Sequence, residues 1–149
     1  MYKKNIITEY ENMLFENRNI IKNIKFDYVV TLNTRELIHY PTFKNFLVDE
    51  FERQLNKKLF GKDWRTKGTK IHWVHNYETK SNNTHSHSVC KLNGYIDVKK
   101  FKKQARHIWA KLNRSFGNLN SSLYIDTFSK PIAVAHYITK DNNADFSFV

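Results

Sequence analysis

Apolar side chains recur along the chain with two periods, and each change of period marks a new element. Within residues 5–22, Ile6, Tyr10, Met13, Leu14 and Ile21 form a helical stripe and predict an N-terminal helix. Residues 26–32 are aromatic and β-branched and end at the polar pair Asn33-Thr34, as a buried strand does. Pro41 and Thr42 can open a helix in which Phe43, Phe46, Leu47, Phe51, Leu55 and Leu59 recur at spacings of three and four until Gly61 closes it. Two strand-like runs follow, 71–78 and 85–92, joined by six polar residues, so a hairpin is the natural pairing. Asp97 can cap a helix that buries Val98, Phe101, Ala105, Ile108, Trp109 and Leu112, with Lys and Arg on its outer side. Residues 123–128 read as a fourth strand, and Pro131 begins a short helix running through Tyr137 to Lys140.

The predicted order is a helix, then βαββαβ, then a helix. Two helices crossing one antiparallel sheet of four to five strands give an α+β, ferredoxin- or RRM-like plan, which leaves one sheet face for a ligand. With only two Pro and four Gly, and no repeat or long linker, a single domain is expected over 1–149. It divides into an N-terminal helical extension at 1–24, a core at 25–141 and a tail at 142–149.

Composition changes this picture in one respect, the partner. A formal net charge of +11 points to a polyanion, nucleic acid first, while 40% hydrophobic residues with 11 Phe, 8 Tyr and 3 Trp exclude a disordered basic tail. The single cysteine, Cys90, excludes a disulfide framework and a four-cysteine zinc module, and reads as a small buried hydrophobe in a reducing compartment. No run approaches the roughly 18 apolar residues of a membrane span, and the first residues lack an apolar secretory core, so a soluble intracellular protein is expected.

The candidate chemistry lies in the hairpin. If its loop sets Glu78 opposite His85, antiparallel pairing sets Asn76 opposite His87. One face then carries His72, Val74, Asn76, Glu78, His85, His87, Val89 and Lys91; the other sets Trp73, His75 and Tyr77 against Ser86, Ser88 and Cys90, large against small. On the polar face Glu78, His85 and His87 supply two imidazoles and a carboxylate, enough to grip one divalent ion with coordination positions left open. A rival zinc cluster of His72, His75, His85 and Cys90 fails because alternation sends His75 and Cys90 to the opposite face. A nucleophile is available in Tyr137, with Lys140 one helical turn on to favour its phenolate.

These residues resemble the HUH endonucleases, and among them the single-tyrosine rolling-circle replication initiators (Rep) of small viruses and plasmids. Glu78-x6-His85-x-His87 is similar to their metal motif, Tyr137-x-x-Lys140 to their nucleophile motif, and 28–34 to their first strand motif, in the same order. The chain departs from the pattern at Ser86, where the family usually has a hydrophobic residue, but Ser86 belongs to the core face. The resemblance implies a nuclease that nicks and rejoins single-stranded DNA at a replication origin. Its cofactor would be Mn2+ or Mg2+ on Glu78, His85 and His87, and a 5′-phosphotyrosine would form at Tyr137 with help from Lys140. The chain has no Gly-x4-Gly-Lys-Ser/Thr loop, so helicase and polymerase would be separate partners, in a prokaryotic cytoplasm or the nucleus of a virus-infected cell. DNA contacts are expected from Trp64, Arg65, Lys67 and Lys70, with Lys80 beside the metal. The alternatives are a single-domain HUH transposase, whose metal site tends to be completed from its Tyr helix, and a non-catalytic RRM-like RNA or single-strand binder, which would expose stacking aromatics on the sheet.

Overall fold

The computed structural model describes residues 23–79, 83–92, 96–128 and 144–146, together with positions 16, 18, 19 and 130. Strand β1 (Tyr28–Asn33) leads into a continuous helical stretch made of α1 (Tyr40–Thr42), a π-helical segment (Phe43–Val48) and α2 (Asp49–Phe60). The hairpin β2 (His72–Glu78) and β3 (His85–Lys91) follows, then α3 (Val98–Ser115), β4 (Ser122–Thr127) and β5 (Ala144–Phe146). The five strands are ordered β4-β1-β3-β2-β5, every pair antiparallel. The first four reproduce the expected βαββαβ arrangement. Of the N-terminal helix, the described positions Glu16, Arg18 and Asn19 are helical. The helix expected over 131–140, with Tyr137 and Lys140, and the loop residue Lys80 lie outside the described residues.

Both long helices cover one face of the sheet because their apolar stripes have nowhere else to go. Trp73, Tyr77 and Cys90 from the hairpin and Val30 and Leu32 from β1 meet Phe51 and Leu55 of α2 and Phe101, Ala105, Ile108 and Trp109 of α3 in one cluster. Phe51 stands edge-on to both Trp73 and Trp109, with ring centroids 5.9 and 5.6 Å apart. A buried aromatic in such a lattice stabilises the fold by about 3–5 kcal/mol against truncation to alanine. Asp97 caps α3 as expected, accepting from the Lys99 amide at 2.9 Å. Gly61 ends α2 with φ at +91°, a conformation that costs a residue with a Cβ.

Two details depart from the sequence reading. Phe46, expected in the core stripe, is 58% exposed. A π-helical segment closes i to i+5, so each residue turns less far around the axis than in an α-helix; Phe43, Leu47 and Val48 are thereby buried and Phe46 is carried outward to meet Phe116 at 6.2 Å. Val98, also expected inside, is exposed at the first residue of α3. The second detail is β5, which adds to the free side of β2 and pairs Asn76 with Ala144. Its three residues are too few to show an alternating pattern, and the expected tail at 142–149 hid it.

Candidate metal centre and nucleic-acid face

Register places the metal candidates. Glu78 pairs with His85 and Asn76 with His87, as the hairpin argument requires, and Trp73, His75 and Tyr77 pair with Cys90, Ser88 and Ser86. Side chains of paired residues share a face, so the ligand candidates all point away from the helices. β1 and β4 extend the same rows. One row runs Tyr124, Thr31, His87, Asn76; the next runs Ser122, Asn33, His85, Glu78.

From the second row Glu78 reaches the rings of both rows: its Oε2 lies 2.7 Å from His85 Nε2 and its Oε1 3.5 Å from His87 Nε2. The imidazoles are 5.0 Å apart at an interplanar angle of 88°, and one donor atom from each of Glu78, His85 and His87 lies within 4.8 Å of the others. Three further observations test whether these residues fit a divalent cation. His85 Nδ1 lies 3.2 Å from the Asn83 carbonyl, which can only accept; Nδ1 therefore carries the hydrogen, and Nε2 is the donor atom turned toward Glu78. The three side chains are 12–23% exposed, shielded yet reachable. Beside them Asn76 is fully buried with neither amide atom hydrogen-bonded, an arrangement that costs about 1–3 kcal/mol unless something polar meets it. Two imidazoles and one carboxylate, with a neighbouring uncompensated amide, could hold a divalent metal ion.

The face is not open along its whole width. At the β3–β2 side Val74, Asn76 and Val89 are fully buried, and with β5 in place β2 is an interior strand. At the β4 side Tyr124 is 56% exposed, and its hydroxyl accepts from the Arg35 guanidinium at 3.1 Å. Tyr124 stands two strands from His87, roughly 10 Å away. Sequence reasoning passed over it. The signal was the alternation of Leu123 and Ile125, which pack against the core, with Tyr124 between them.

The opposite side of the hairpin accounts for His75. His75 is buried, its Nδ1 2.6 Å from the Ser88 hydroxyl and its Nε2 2.7 Å from Glu52 Oε1 on α2. Cys90 is buried on that side too, and burial pushes its thiol pKa up. The zinc cluster rejected on alternation is thus also rejected on geometry, and His72, at the far end of the ligand face, has its pKa lowered by burial and by Lys70 and Lys91.

The basic loop between α2 and β2 is not brought to the metal candidates. Trp64, Arg65, Lys67 and Lys70 precede the start of β2 whereas Glu78 ends it, about 20 Å along the strand. Trp64 is half-buried with the Arg65 guanidinium 4.9 Å from its ring centroid, so one of its faces is already taken. No family model, curated protein or solved structure matches this chain.

Proposed function

We propose that this chain is a metal-dependent tyrosine nuclease and strand transferase of the HUH type, acting on single-stranded DNA in the manner of a rolling-circle replication initiator. The observation that carries the reading is the convergence of Glu78, His85 and His87 at one end of the sheet in a strongly cationic domain. A divalent ion held there would polarise a phosphodiester oxygen and offset the charge that builds on it during displacement. Glu78 bridges the two rings, and the Asn83 carbonyl holds His85 in the tautomer that presents Nε2.

Tyr137 is assigned the nucleophile. Its phenolic oxygen bonds to phosphorus, the bond from phosphorus to the 3′ oxygen breaks, and the phenolic proton ends on that oxygen, leaving a 5′-phosphotyrosine and a free 3′-OH. Lys140 favours the phenolate before attack. The reverse sequence rejoins a strand, so no water is consumed. The substrate enters from the β4 side, where Tyr124 offers a base a stacking surface and Arg35 a cation. Trp64, Arg65, Lys67 and Lys70 then contact DNA several nucleotides from the bond that is cut. The substrate is an origin strand, and helicase and polymerase are separate partners. Completion of the metal set by Glu78 on β2 favours this reading over a transposase.

Tyr124 also suits a second reading, a non-catalytic single-strand binder that stacks bases on its sheet. One experiment separates the two. The protein is incubated with a fluorescent single-stranded DNA library and Mn2+, and the products are resolved in SDS. A covalent protein–DNA adduct is expected, absent from Tyr137→Phe, which should still bind both DNA and Mn2+. Adduct formation by Tyr137→Phe, or none by the parent protein despite bound Mn2+, would end the nuclease reading.

A further inference from the structure

On the far side of the sheet from Glu78, His85 and His87, a groove of about 810 Å3 runs between α2 and α3. Lys57 and Lys58 stand on one wall and Lys103, His107 and Lys111 on the other, with the buried Ile108 among the lining residues. Arg53 also lines it, but its guanidinium is held by both oxygens of Glu50. None of the four lysines forms an ion pair among the described residues. A purely intramolecular reason exists for two of them, since Lys57 and Lys58 occupy the last turn of α2, where cations suit the helix dipole. Lys103 sits in the first half of the 18-residue α3, where that reason is missing. Unpaired cations facing each other across a groove repel unless an anion lies between them.

From this geometry we infer that the α2–α3 groove is a second nucleic-acid site, one that takes a sugar-phosphate backbone without reading its bases. Lys103, His107 and Lys111 recur at i, i+4 and i+8, a ladder with a step of roughly 6 Å along the helix. Phosphates of one strand in a duplex follow at about 3.4 Å along the axis, so successive rungs meet nearly every second phosphate. The opposite wall closes on the same ridge with Lys57 and Lys58. Gln104 also lines the groove and supplies a neutral hydrogen-bond donor, whereas the amide of Gln54 donates to Glu50 Oε1 at 2.9 Å; no exposed aromatic lies among the lining residues to stack a base. Because the sheet separates this groove from the metal candidates, one protein can hold the backbone of a flanking segment while its other face engages a different stretch. The inference does not depend on the nicking chemistry.

Anisotropy titrations of fluorescein-labelled single-stranded and duplex 30-mers, each repeated over a range of NaCl concentrations, test it. The groove variant is Lys57→Glu/Lys103→Glu/Lys111→Glu; a control of equal net charge is Lys25→Glu/Lys99→Glu/Lys100→Glu, all at exposed positions. The groove variant should bind about tenfold or more weakly and lose roughly two to three from its log–log salt slope, while the control changes a few-fold at most. A larger loss on duplex identifies a duplex backbone as the occupant, and a larger loss on the single strand identifies an unpaired one. Equal losses in both variants, or a groove variant that binds both DNAs like the parent, would overturn the inference. Should the charge reversals compromise folding, the triple Lys→Gln variant reads the same slope.

Discussion

Four histidines occupy one hairpin, and the environments of three of them, His75, His85 and His87, differ by a single step of the strand pleat. His75 faces the helices, where Ser88 and Glu52 take both of its nitrogens within 2.7 Å and solvent is shut out. His85 and His87 face the other way, and both turn Nε2 toward one carboxylate. The first arrangement is closed, its hydrogen-bonding capacity spent on the fold. The second brings one donor atom from each of three side chains within 4.8 Å of one another on a shielded but reachable face, which suits a ligand rather than a core. Residue type is therefore a poor guide here and strand parity a good one.

The sharpest way to break the contrast is to exchange the roles. His87→Ala should weaken Mn2+ binding about 100-fold or more by calorimetry and change the unfolding free energy by less than about 1 kcal/mol. His75→Leu should do the converse: a loss of about 2–4 kcal/mol in urea unfolding, because Glu52 and Ser88 are left without the ring between them, with Mn2+ affinity unchanged. If both variants lose metal and stability alike, the two faces are not independent.

A smaller effect probes the boundary of the metal face. Asn76→Leu removes a buried amide whose atoms are not hydrogen-bonded, so the metal-free protein should gain about 1 kcal/mol, while Mn2+ affinity should fall about tenfold if the amide supports the ion. A loss of stability without metal would mean the amide is already compensated. The smallest effect belongs to the helical layer. The Glu50 carboxyl is held at a pKa of about 2, chiefly by its hydrogen bonds with Arg53, then with Gln54, against the opposing effect of burial. A depressed carboxyl stabilises the fold above its unfolded pKa and loses that contribution as pH falls from about 4.5 towards 2. The pair is partly exposed, so Glu50→Gln should cost only about 0.5 kcal/mol at pH 7 and nothing near pH 2, by thermal unfolding at both pH values.

Much of the fold was legible because the hairpin and α3 obey clean periods. Trp73, His75 and Tyr77 against Cys90, Ser88 and Ser86 could be paired from the sequence since a six-residue loop and a packed core leave one sensible register. Phe46 was misread because a π-helical turn has no signature in apolar spacing. β5 escaped because a three-residue strand is chosen by the edge it finds rather than by its own pattern. At the site, ligand identity followed from alternation, but the orphaned amide of Asn76 and the exposure of Tyr124 depend on how far each row is covered, which a linear pattern does not contain. The 62–70 loop was placed by its charge, and charge carries no information about which end of a strand it adjoins.

The carbonyl that orients His85 belongs to Asn83, and Asn83 is itself bridged to Ile38, just past the turn in which Asn33 Oδ1 accepts from the Arg35 amide and Arg35 takes φ of +60°. The aim of one imidazole is thus set by a stretch of chain some 50 residues earlier. If an ion is captured by the Glu78, His85 and His87 group, its capture and the ordering of that corner would be thermodynamically linked: whatever loosens the turn would weaken the grip, and an ion taken up would tighten the turn in equal measure.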